Sequence, residues 1–273
     1  MEPLRKRSEL EALEQATDGA DSVDVPAAVL CARCGQPECQ GCESRPSESG
    51  VFIMVPWERL DAPFGKRLFA TARATTNDAD TFFEHLADGP LAPALAFAIV
   101  AELFAAGALF ALLAVPFSLV FPDLARACLF DPELRHRAMK AVVVGIPGLA
   151  LLLVVAHAAQ GISVDVGARR NGGRPMRSRA LRFGLYAAGW DLIIGPWGAL
   201  AAGLADGPRA ALSVFTRASG LPTRATRAFL KGAYRMEGEP ATRALHVSYW
   251  GAALATIFAA AAVVGSVLVL MLA

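Results

Sequence analysis

Four cysteines within twelve residues are the densest group of chemically competent side chains in the sequence. Cys31-Ala-Arg-Cys34-Gly-Gln-Pro-Glu-Cys39-Gln-Gly-Cys42 holds two Cys-x-x-Cys pairs separated by four residues. Each pair turns the backbone so that both sulfurs face one point, and four thiolates at roughly 2.3 Å are what a structural zinc ion takes. Gly35 and Gly41 supply the permissive backbone such knuckles need. The pattern predicts a small zinc-ribbon-like head with Cys31, Cys34, Cys39 and Cys42 as ligands and structural zinc as cofactor. The spacer is shorter than most ribbons use, which would strain one ion or favour ligands shared between two chains. A redox dithiol normally opens a helix within a larger fold, disulfides do not persist in a reducing cytoplasm, and the ferredoxin run is spaced more tightly. Cys128 stands alone and reads as packing.

A second group is sparse. Glu102, His157 and Asp191 are polar residues inside otherwise apolar stretches. An acid at the centre of a membrane helix costs roughly 2.5–3.5 kcal/mol on insertion scales. Such residues face other helices or a watery cavity, and they often mark a pathway. On the functional reading, Glu102 and Asp191 build an ion or proton site. On the local reading, Asp191 accepts from backbone N–H groups freed at the Gly195-Pro196 break, and Glu102 caps or pairs nearby. One acid per helix and no transporter-type internal repeat favour the local reading. His157 reads as a polar packing residue. The sequence has no His-x-x-x-His, Gly-x-Ser-x-Gly, phosphate loop or dinucleotide fingerprint, so the expectation is a protein that is not an enzyme, with no catalytic residues and no organic cofactor.

The elements that must position these residues follow from composition. The chain has 273 residues, 55% hydrophobic and only 19% charged. Residues 1–50 carry five Lys/Arg against ten Asp/Glu, and the rest carry 21 against 15, so an acidic head precedes a basic body. Twenty-four residues between Lys140 and Asp165 have no charge, nor do the 30 after Arg243, and Glu102 is the only charge from Gly89 to Pro122. Apolar runs of 18 or more read as membrane-spanning helices. The expected fold is all-α: a polytopic membrane helix bundle of four to five spans with a small cytoplasmic head. Its parts are a disordered acidic segment over 1–30, the four-cysteine zinc motif over 31–42, a linker over 43–54, an amphipathic interfacial segment over 55–88, and a transmembrane helical domain over 89–273. In the 55–88 segment, Trp57, Phe64, Leu68, Phe69, Phe82, Phe83 and Leu86 alternate with Arg59, Lys66, Arg67 and Arg73, a mixture suited to the headgroup layer.

The spans are expected over about Pro93 to Val115, ended by Pro116 and Pro122, over Met139 to Gln160 with a kink at Gly145–Gly148, and over His246 to Met271. Phe183–Thr216 is apolar but interrupted. It reads either as one crossing over Phe183–Ala205 or as a helical hairpin whose halves meet near Pro196. Six arginines before it (Arg169, Arg170, Arg174, Arg177, Arg179, Arg182) and seven basic residues after it favour the hairpin, which keeps both basic loops in the cytoplasm. That arrangement puts the N-terminus inside and the C-terminus outside. Nothing at the N-terminus has the apolar core of a secretory signal.

The run VPWERLDAPFGKRLFATARATTNDADTFFEHLADGPLAPALAFAIVAELF, with its Pro-Trp-Glu-Arg, its Phe-Phe-x-x-Leu and its Gly-Pro-Leu-x-x-x-Leu-x-Phe-Ala entry into the first span, resembles bacterial members of the Yip-domain family of integral membrane proteins over residues 55–115. The resemblance implies about five helices, a cytoplasmic N-terminus and a non-enzymatic role through protein or lipid contacts at the cytoplasmic face. The family's eukaryotic members are associated with Rab-type small GTPases, a partner class not carried over here. The broken central stretch and the basic 163–182 loop depart from the family's pattern. Two further classes stand beside this reading: a small ion or solute transporter or channel using Glu102 and Asp191, and a membrane-anchored sensor whose zinc head recruits a partner. The expected setting is the plasma (inner) membrane, with membrane lipid and a cytoplasmic protein as partners. Basic residues confined to short loops argue against nucleic acid. Gly251, Ala255 and Ala259, and likewise Ala261 and Gly265, fall at four-residue intervals and read as a packing face, within one chain or in a homo-oligomer.

Overall fold

The computed structural model describes residues 54–59, 61–217 and 220–272. The acidic head, the four-cysteine motif expected to bind zinc, and the linker up to residue 53 lie outside the described residues. A 3-10 turn at Pro56–Glu58 leads to α1 (Phe64–Asn77) and α2 (Ala79–Glu84), followed by α3 (Leu91–Val120), α4 (Pro122–Phe130) and α5 (Pro132–Arg170). Then come α6 (Arg177–Ala187), α7 (Gly189–Ile193), α8 (Pro196–Asp206), α9 (Pro208–Arg217), α10 (Leu221–Tyr234) and α11 (Gly238–Leu272). The described residues contain no strand.

Prolines set most of the boundaries. Pro122 disfavours helical backbone at the residue before it, and Phe121 sits at φ −126°, ψ 64°. Helix α5 opens on Pro132 behind Asp131, whose carboxylate accepts from the Glu133 and Leu134 N–H groups at 2.9 and 3.0 Å. Pro116, read from sequence as a stop, lies inside α3, which runs on to Val120. A proline there removes one backbone hydrogen bond, a loss that a long helix bonded on both sides absorbs.

Helices α3 and α5 are both long and apolar enough to cross a membrane, at about 1.5 Å per residue, with mean hydropathies of 2.4 and 2.3 over their most apolar stretches. Both leave large apolar side chains outside: Leu113, Val115 and Leu119 on α3, and Val143, Leu151 and Val155 on α5. Helix α11 lies along α5, with Gly167 against the Ala244 backbone and Gly251 against Ser163. The small-residue face is therefore used within the chain at Gly251.

The core joins the first two helices to the middle of the chain. Phe83 meets Phe183 at 4.8 Å between ring centroids, and Phe183 stacks on Phe229 at 4.6 Å. Trp57, Leu68, Phe82, Phe83 and Leu86 are all buried in this core, and Trp57 Nε1 donates to the Pro93 carbonyl at 2.9 Å. The apolar face of residues 55–88 thus turns toward α3, α7 and α10. Amphipathic spacing establishes that such a face exists, and the fold supplies the surface that covers it.

The stretch 183–216 contains no single long helix. It breaks at Ile194–Gly195 ahead of Pro196 and again at Gly207 (φ 89°) ahead of Pro208. Helices α8 and α9, of 11 and 10 residues, pack on each other about Gly207. The reversal therefore falls at Gly207 rather than near Pro196, because only Gly207 takes the left-handed backbone a tight return requires. At about 1.5 Å per residue each arm covers roughly half of a bilayer's hydrocarbon core.

Candidate cation site within the helix bundle

Glu102 on α3, His157 on α5 and Asp191 on α7 come together. His157 Nε2 lies 2.9 Å from Glu102 Oε1 and 3.2 Å from Asp191 Oδ2. One donor atom from each residue falls within 4.8 Å of the others. The Glu102 side chain is fully buried, His157 is 14% exposed and Asp191 30% exposed, so the cluster opens on the Asp191 side.

Three local features bring these helices close. Around Glu102, α3 carries Ala98, Ala101, Ala105 and Ala106, all buried, which lets neighbouring helices approach. Beside His157, α5 and α6 touch through Gly161 and Gly184: a Cβ on Gly184 would fall 2.1 Å from the His157 carbonyl oxygen. Gly195 allows the chain to fold back over Asp191, since a Cβ there would lie 2.6 Å from Asp191 Oδ1. Trp190 anchors the short α7 by donating Nε1 to the Thr75 carbonyl at 2.8 Å, and Trp197 packs its ring on Phe104.

The cluster is short of partners. Outside the cluster itself, the two Glu102 oxygens have none, and His157 Nδ1 is buried without one. Two carboxylates therefore compete for one imidazole N–H. Two other buried polar groups are arranged differently. Glu58 Oε1 accepts from Arg182 Nη2 at 2.8 Å and from the Tyr186 hydroxyl at 2.6 Å, while Arg182 Nη1 donates to the Pro90 carbonyl at 3.1 Å. Asp165 Oδ1 accepts from the Met176 N–H and the Tyr234 hydroxyl, both at 2.8 Å, with Arg169 Nε 3.1 Å from Oδ2.

The sequence named all three members of the cluster but not their meeting. His157, read as packing, is the residue that joins the two acids. Asp191, read as a partner for backbone donors freed at the break, pairs with His157 instead. Those donors are satisfied without it, because the N–H groups of Ile194 and Gly195 both reach the Trp190 carbonyl. Glu102 has no local cap or ion pair; its contact crosses to α5. Arg182, counted from sequence among the loop charges, is 2% exposed and neutralised by Glu58, and Arg179 donates to the Leu86 carbonyl. Arg179 keeps its charge, whereas the pairing of Arg182 lowers the positive count ahead of 183–216 by one. A tyrosine four residues after Arg182, placing a hydroxyl on the same helix face, is the only hint of that node in the sequence.

Comparison with protein-family models, curated protein sequences and solved structures finds no match for this chain.

Proposed function

We propose that this is a non-enzymatic integral membrane protein that binds a cation at Glu102, His157 and Asp191 and passes it through the bundle, as a small transporter or channel. The observation that carries this reading is the meeting of two carboxylates on one imidazole, drawn from three helices, with almost no other partners. Polar groups left short in an apolar bundle are costly, and their retention fits a site that is completed by something it binds. Helices α3, α5 and α11 cross the membrane, and the α8–α9 hairpin enters it partway. The N-terminus and its zinc-bearing head are cytoplasmic, in a plasma (inner) membrane.

Proton and cation flux into liposomes carrying the full chain tests the function. Flux should be present in the wild type and lost in Glu102→Gln; a wild type that leaks no more than empty liposomes would defeat the reading. Topology is tested separately. A reporter after Ala273 should lie outside, and tags at residue 1, in 170–176 and in 224–235 inside.

A second reading, a Yip-type role through contacts at the cytoplasmic face, is favoured by one surface. Arg224, Arg227 and Lys231 stand exposed on α10, suited to anionic lipid or an acidic protein. Loss of vesicle or partner binding when all three are replaced by Gln, with flux unchanged, would favour it.

A further inference from the structure

We infer that the cation taken at this centre is a divalent transition-metal ion of the zinc class, bound directly by Glu102, His157 Nε2 and Asp191; the inference rests on reading the centre as a cation site. Charge comes first. Two carboxylates in an apolar bundle are neutralised by one divalent ion, whereas a monovalent ion leaves a net negative charge buried beside the fully enclosed Glu102. Donor chemistry comes second. Calcium and magnesium take oxygen donors, while an imidazole nitrogen with two carboxylates suits zinc, manganese, iron or cobalt.

Geometry comes third. A tetrahedral ion with bonds of about 2.0–2.2 Å needs its donors roughly 3.3–3.5 Å apart. His157 Nε2 stands 2.9 and 3.2 Å from the two carboxylate oxygens, and the whole donor set spans no more than 4.8 Å. Small side-chain rotations suffice to admit the ion. On binding, the Nε2 proton leaves or moves to Nδ1, and the nitrogen lone pair that it frees becomes the third donor. Three protein ligands leave one position open, and the exposed side of Asp191 faces it, as exchange of a transported or reversibly bound ion requires. The fully buried Glu102 carboxylate, which reaches no partner outside the cluster, is the independent sign that a ligand belongs here.

The test must separate this site from the cysteine head. Cys31, Cys34, Cys39 and Cys42 are all replaced by Ser in the full chain, and the protein in detergent is titrated with Co2+ and Zn2+. The expected result is one ion per chain, with cobalt d–d bands and no sulfur-to-cobalt charge transfer. His157→Ala should weaken binding by at least about 100-fold, since even loss of an outer-shell partner costs roughly 10–100-fold. His157→Cys should restore binding with a new thiolate band. Glu102→Gln should weaken it, and Glu102→Asp less so. A chain without the four cysteines that binds no metal, or a His157→Ala chain that binds as well as its parent, would overturn the inference. Flux in the same liposomes distinguishes the two proposals. Proton or monovalent flux that depends on Glu102 without metal binding sinks only the metal; metal binding without any flux sinks only the transporter.

Discussion

Two polar clusters sit in the same bundle and follow opposite rules. At the Glu58–Arg182–Tyr186 node, one carboxylate meets a guanidinium and a hydroxyl, and the guanidinium reaches a backbone carbonyl as well. Only Arg182 Nε is left over. At Glu102–His157–Asp191, two carboxylates share one nitrogen, and neither the Glu102 carboxylate nor His157 Nδ1 reaches a partner outside the cluster. The first cluster ties the 3-10 turn at residues 56–58 to α6 and to the entry of α3. The second joins α3, α5 and α7 through His157 alone. On the proposed reading the first cluster is kept for the fold and the second for a ligand, and the contrast can be broken by substitution.

The largest effect should come from Arg182→Met. It leaves the Glu58 carboxylate with the Tyr186 hydroxyl alone and removes one bond of the Pro90 carbonyl; with Glu58 26% exposed, the loss should be about 3 kcal/mol, the low end for a broken buried pair. Thermal unfolding in detergent should show a strong loss of stability. A variant as stable as the wild type would mean that the node is not structural. Its geometry is tight enough that a Cβ on Gly89 would lie 2.0 Å from Arg182 Nη1.

Glu102→Gln should act in the opposite direction. Removing one of the two carboxylates leaves His157 with Asp191 as its single acceptor, so the fold should be unharmed or gain about 1–3 kcal/mol, the usual scale of a relieved buried polar penalty. Flux and metal binding should fall in the same variant. A stable but inactive protein is the signature of a site whose composition costs stability. A Glu102→Gln chain that unfolds as readily as Arg182→Met would erase the distinction between the clusters.

The open cluster was half legible in the sequence, and the closed one hardly at all. Glu102, His157 and Asp191 stand out because each interrupts an apolar run, so their cost is visible without coordinates. That they converge depends on α5 packing beside α3 and on α3 meeting α7, which is fixed by long-range packing such as the close α5–α6 approach at Gly161 and Gly184. No periodicity records those contacts. Arg182 is invisible because it belongs to a row of arginines, and charge counting treats each as solvated. Its burial follows from Glu58, 124 positions away. The apolar face of 55–88 was legible as a face, but a membrane surface and a neighbouring helix ask for the same spacing. The all-helical class and the two long apolar helices needed only composition. The position of the hairpin turn needed the backbone of Gly207.

A smaller effect should appear at the Asp165 cluster. Tyr234→Phe removes one of the donors to Asp165 and leaves the Met176 N–H and Arg169, so the loss should be about 1 kcal/mol. It also carries a pH signature. Burial, and then the hydrogen bond to Asp165, push the Tyr234 hydroxyl above its ordinary value. A raised folded pKa means that the contribution is complete below the unfolded value of about 10 and declines as pH rises past it. The wild type should therefore lose stability at alkaline pH more steeply than Tyr234→Phe. Parallel pH profiles would show that this hydroxyl titrates freely.

The smallest effect is expected where α10 meets α2. Lys231 Nζ lies 3.1 Å from Glu84 Oε1, and the contact raises the lysine's pKa through that hydrogen bond and the carboxylate's charge. The direction means that any stabilisation is present at neutral pH and lost as pH rises through the lysine's range. The pair stands in solvent, however, where screening and side-chain entropy cancel most of the attraction. The same two helices are held by a contact of another kind: Gly232 lies so close to Glu84 that a Cβ would come within 1.8 Å of the Glu84 carbonyl oxygen. Lys231→Ala should therefore leave the thermal midpoint unchanged within error, in low salt and in high. A clear drop that salt abolishes would show that this exposed pair, rather than the close backbone approach at Gly232, holds α10 to α2.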